Sequence, residues 1–181
     1  MNEDKVQNFI NSYLNFDIGI VFILGVVIFV CFLCIKQSQK KELTVRTVIH
    51  GIVWSLYLLI LITGTMLNRK IGQDYNVNLT PFWSYEAVME DGSESILWQM
   101  IYNVVMFIPW GILMSGMWEC MQKPYWNIGS ALLASVIIEV IQFIFKCGLV
   151  EFDDVFHNVL GGITGYGILC MYKEIKKLYE R

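Results

Sequence analysis

Five apolar runs decide what this chain can fold into. They occupy residues 18–35, 45–67, 96–118, 126–145 and 155–172. Each is close to the ~20 residues that carry an α-helix across a bilayer core about 30 Å thick. In hydrocarbon, backbone polar groups must be satisfied inside the segment, so runs of this length are expected as helices. Composition agrees. Of the 181 residues, 56% are hydrophobic and 16% charged, whereas soluble domains carry about 25% charged residues. The expected fold is all-α, a multi-pass transmembrane helix bundle of about five transmembrane helices. It forms a single integral membrane domain over residues 1–181, with an outer re-entrant or interfacial loop between helices 2 and 3.

Lys and Arg in the short loops set the orientation. With five crossings, Lys36, Lys40, Lys41 and Arg46 share one side with Lys123 and with Lys173, Lys176, Lys177 and Arg181. The opposite side holds Lys5, Arg69, Lys70 and Lys146. The N-terminus is therefore expected outside and the C-terminus in the cytoplasm. The first run follows Glu3, Asp4 and Asp17 rather than basic residues, and reads as a retained span, not a cleaved signal. The five cysteines are scattered and odd in number, so they suggest no disulfide framework. Cys31 and Cys34 lie among Val, Phe and Leu and read as small hydrophobes.

Against this apolar background the polar residues stand out. Glu139 and Gln142 lie three apart in the fourth run, on one helix face. Asp153 and Asp154 open the fifth run, followed by Asn158, Gly161 and Gly165 along one stripe. One of the two Asp residues is expected to cap that helix's own N-terminus. Asn103 lies in the third run, before Pro109 and Gly111. Pro109 removes a backbone donor and is expected to bend its helix. Gly161 and Gly165 let a neighbouring helix approach closely. Counted at about 1.5 Å per residue, Asn103, Gln142 and Asn158 reach a common level near the outer end, with Glu139 a turn deeper. The 68–95 loop carries Asn78, Pro81, Phe82 and Trp83, an aromatic segment suited to the membrane interface or to a lid over the polar residues. Arg69 is the cation at its rim. His50 and His157 read as packed or interface-facing side chains.

This ordered set of residues resembles the VanZ family. The resemblance rests on Arg69 after Thr65-Met66-Leu67, Asn78-Leu79-Thr80-Pro81-Phe82, Asn103 with Phe107-Ile108-Pro109-Trp110-Gly111, Glu139-x2-Gln142 and Asp153-Asp154-x3-Asn158-x2-Gly161. It covers residues 45–172. It implies a small multi-pass protein of the bacterial cell membrane, contributing to low-level resistance to teicoplanin-type glycopeptides. Many family members carry an Arg in the turn after the Glu/Gln pair. Here Gly148 stands there, with Lys146 two residues earlier.

Two mechanisms fit these residues. In the first, the polar residues and the aromatic loop bind a lipid-linked wall precursor, a membrane lipid or the lipophilic drug near the outer leaflet. In the second, the protein is an enzyme on a lipid-linked envelope substrate, with Glu139 as general acid or base and Asp154 beside it. Asp153 and Asp154 are the candidates for a metal. The sequence carries no nucleophile–base motif and no His cluster, so the reading leans away from catalysis and implies no cofactor and no nucleic-acid partner. Proton-coupled transport through Glu139 is disfavoured, since five helices without a repeat do not suggest alternating access. A purely structural role, with Asn103, Glu139, Gln142 and Asn158 bonding one another, competes with all of these.

Overall fold

The computed structural model describes residues 18–39, 44–67, 77–145 and 148–180. In chain order the elements are α1 (Ile18–Ser38), α2 (Val45–Ile62, continued by a π-helical Thr63–Leu67), β1 (Val77–Asn78), α3 (Trp83–Asp91), α4 (Glu94–Met114), a 3₁₀ turn (Glu119–Gln122), α5 (Pro124–Phe145), β2 (Val150–Glu151) and α6 (Phe152–Tyr179). The fold is all-α apart from the two-residue strands. Among the described residues, three segments are long and apolar enough to cross a membrane: Val45–Thr65, Glu94–Met114 and Pro124–Phe145.

The chain divides into two compact units, Met1–Arg69 and Lys70–Arg181. In the first, α1 packs on α2 through small residues. A methyl group added at Gly51 would collide with the Phe32 ring, and one added at Gly25 would meet Leu59. The Lys36 ammonium sits 5.8 Å from the centroid of Phe32. Thr44 caps α2 by accepting from the Thr47 N–H at 3.3 Å. This is the ordinary use of a hydroxyl at a helix start.

The second unit is built on the close approach of α4 and α6. A Cβ at Gly161 would run into the Val104 carbonyl, one at Gly165 into the Ile108 carbonyl, and one at Gly111 into the Gly162 carbonyl. Backbones can meet this closely only where side chains are missing. α4 stays helical through Pro109. α5 crosses the pair, with Ala131 facing Gly162. Away from the two strands, Asn127 fastens α5 to α4. It is fully buried, and its amide lies 3.1 Å from the Gly111 carbonyl, 3.1 Å from Ser115 Oγ and 3.2 Å from the Met121 carbonyl. Trp110 donates to Ser130 Oγ at 3.0 Å, and Tyr166 donates to the Gln122 carbonyl at 2.6 Å.

Two features differ from the sequence expectation. α6 is 28 residues long and runs well past the apolar 155–172 run. Its added turns carry Lys177 with Glu174 at 2.6 Å and Lys176 with Glu180 at 3.4 Å, spacings that support an exposed helix. The 68–95 loop is also not simply a loop. It holds β1, which pairs in parallel with β2 (Val77 opposite Val150, Asn78 opposite Glu151), and it holds the helix α3.

Candidate functional site

The site lies where α3, β1 and β2 meet the ends of α4, α5 and α6. Asp153 is its first fixed point. Its Oδ1 accepts from the Phe82 N–H at 2.7 Å, and its Oδ2 accepts from the Ser84 N–H at 3.0 Å and the Ser84 hydroxyl at 2.6 Å. The carboxylate therefore caps α3, not its own helix. The residue preceding α6 is Glu151, which makes no side-chain cap bond there. For Asp153 this corrects the expectation of a local cap. A negative charge at the free donors of a helix start is favourable wherever in the sequence it comes from. Phe82 adopts φ +65°, the left-handed region. It is held there by the Asp153 bond and by edge contacts with Phe156 at 5.3 Å and Phe152 at 6.5 Å.

A second network lies behind the cap. Asp154 Oδ1 accepts from Asn103 Nδ2 at 2.6 Å and from Gln99 Nε2 at 3.1 Å. Gln99 Nε2 also reaches Glu151 Oε2 at 3.2 Å. The Glu151 backbone N–H donates to Glu139 Oε2 at 3.2 Å. Gln99 thus bridges two carboxylates, and the strand β2 ties them to a third. One turn along the α5–α6 contact, Asn158 Nδ2 donates to Ser135 Oγ at 2.8 Å. Relative exposures are 5% for Glu139, 1% for Gln142, 0% for Asp153, 4% for Asp154 and 4% for Asn158. The arrangement is a packed polar core. Buried polar groups in low dielectric are strongly held when paired.

The remaining candidates fall around this core. Asn78 lies in β1 and accepts from the Thr80 N–H at 3.1 Å, a local turn. Pro81 is exposed just before α3. Trp83 is half-buried in the first turn of α3, with its indole Nε1 buried and unpartnered among the described residues. Arg69 lies outside the described residues. The structure joins Asn103, Glu139 and Asp154 in one network and gives Asn158 a separate partner. Four members were missed: Ser84, Gln99, Ser135 and Glu151. Among the described residues no group of three His, Cys, Asp or Glu side chains is arranged to hold a metal ion.

Tyr85 and His157 close one edge. The hydroxyl and Nε2 are 3.0 Å apart, and the rings are 5.5 Å apart. Burial, and secondarily the charge of Asp153, raises the pKa of Tyr85 above the usual phenol value. Beside this pair an apolar groove of about 280 Å³ runs along α4 and α6, lined by Leu97, Met100, Ile101, Val104, Val105 and Leu160.

In the second unit two apolar helices of bilayer length, α4 and α5, pack with α6 around a buried core of carboxylates and amides, the build of a membrane-protein helix bundle. A family model described as VanZ/LLP1 matches residues 20–173, and the chain belongs to that family. It is similar to Protein VanZ of Enterococcus faecium, with 35% identity over 107 residues. The match covers 57% of this chain and 60% of that relative's length. No solved structure matches the chain.

Proposed function

We propose that this protein lowers the susceptibility of a bacterial cell to teicoplanin-type glycopeptides by binding a lipid-linked envelope component, or the lipophilic drug, near the outer leaflet. Membership of the VanZ family supports the resistance role at the level of the family. The observation that carries the binding reading is the position of α3. This short helix, rich in aromatic and acidic residues, is fastened over the polar core by the single carboxylate of Asp153. A ligand at this end meets Phe82, Trp83 and Tyr85 for apolar contact and Asn78, Asn103, Asp154 and Glu139 for hydrogen bonding. In this reading α1, α2, α4, α5 and α6 all cross the membrane, with the N-terminus outside, the C-terminus in the cytoplasm and α3 at the outer interface.

Resistance measured at matched protein level tests it. Trp83→Ala and Asn103→Ala are expected to abolish resistance, while Glu139→Gln retains it. Loss of resistance in Glu139→Gln with normal protein level would point instead to proton transfer or catalysis. A reporter inserted at Asn76 is expected to read as external, and a cytoplasmic signal there would overturn the sidedness.

A further inference from the structure

The groove between α3, α4 and α6 belongs to none of the polar networks. Its wall on α4 is the stripe Leu97, Ile101 and Val105, with Met100 and Val104 beside it; Leu160 of α6 forms the opposite wall. Leu97, Ile101 and Val105 are all exposed, on a helix long and apolar enough to cross a membrane. The groove is therefore continuous with the surface that lipid covers. An apolar concavity in such a surface either takes a chain or forfeits dispersion contacts along its whole wall.

We infer that this groove holds one acyl chain of a membrane lipid, entering beside Tyr85 and running down α4 towards Val105. Length favours this occupant. Leu97 to Val105 is eight helical steps, about 12 Å along the axis at 1.5 Å each. That is most of one leaflet, roughly 15 Å of a 30 Å hydrocarbon core. A polyprenyl carrier is far longer than the groove. Polarity fixes the direction. Among the lining residues only Tyr85 and His157 carry polar groups, and Tyr prefers the boundary between chain and headgroup. The lipid headgroup then lies at α3, and its chain reads as a prop that holds α3 and the α4–α6 pair in register. This assignment does not depend on the resistance reading, because its readout is chain occupancy.

The test is photolabelling of the full-length protein in vesicles of phosphatidylglycerol and phosphatidylethanolamine doped with a phospholipid that carries a diazirine in its acyl chain. Adducts are mapped by peptide mass spectrometry. Label is expected to concentrate on the peptide holding Met100, Ile101 and Val104. It is expected to be lost in Ile101→Trp, which fills the groove, and kept in Ile137→Trp on the exposed face of α5. Leu97→Trp serves as a second filling variant if Ile101→Trp does not fold. Label spread evenly over α4 and α5, or unchanged by both filling variants, would overturn the assignment. So would preferential labelling of the same peptide by a diazirine polyprenyl phosphate, or by a glycopeptide with a photoreactive acyl tail.

Discussion

The Asp153 carboxylate holds Phe82, 71 residues earlier in the chain, through a 2.7 Å bond from the Phe82 backbone N–H. The same carboxylate takes two further bonds from Ser84. One side chain thus fixes both the left-handed backbone at the start of α3 and the position of α3 against α6. Asp153→Asn replaces one acceptor oxygen by a donor that must face another N–H or O–H. Buried charge-assisted bonds of this kind contribute about 1.5–3 kcal/mol each, so a loss of about 2–3 kcal/mol is expected. Thermal unfolding in detergent reads the loss. Limited proteolysis reads its location, with new cleavage expected in residues 77–93 before any in α5.

Glycines on one helix should respond in opposite ways. Gly161→Ala and Gly165→Ala place a methyl group against the Val104 and Ile108 carbonyls, and the helices must part. Overpacking of this sort costs about 1–3 kcal/mol. Gly167 has nothing within 4 Å of an added Cβ. Gly167→Ala is therefore expected to be neutral or to stabilise by up to about 1 kcal/mol through helix propensity. Equal losses at all three positions would contradict the close α4–α6 contact.

Glu139 offers a cleaner separation of charge from bonding. Its Oε2 accepts from the Glu151 N–H, a bond that a Gln side-chain oxygen can replace. Glu139→Gln is expected to keep protein level and resistance. Glu139→Leu leaves the buried Glu151 N–H without that acceptor and is expected to cost about 1–3 kcal/mol. Protein level and resistance measured on the same cells distinguish the two.

At the other end of the second unit, Asn127→Ala removes the amide that reaches the Gly111 and Met121 carbonyls and the Ser115 hydroxyl. A loss of about 1–3 kcal/mol is expected, read as a lower melting temperature. The loop 77–93 should stay protected from protease, because this contact is remote from the Asp153 cap.

Much of the scaffold was legible because hydrophobic run length and small-residue spacing act locally. The apolar runs placed α2, α4 and α5, and Gly161-x3-Gly165 marked the face that meets α4. The Asp153 cap was not legible. A carboxylate at a helix start reads as a cap for that helix, and only the tertiary path of residues 77–91 presents it with a different one. α3 was missed because nine residues with mixed aromatic and acidic character carry little periodicity. Gln99 and Ser135 had a usable signal. Each lies four residues before a singled-out polar residue, Asn103 and Glu139, on the same helix face. Glu151 had none, since its role depends on the parallel pairing of β1 with β2.

That pairing has a mechanical consequence. Asn78 opposes Glu151, and the amide of Glu151 is also the donor that Glu139 receives. The stretch leading into α3 and the turn joining α5 to α6 are thus sewn together at the residue that anchors the buried acid. Displacing α3 by pulling on its leading strand strains a seam that ends on Glu139, so the exposed start of α3 and the buried acid on α5 are geared to move as one.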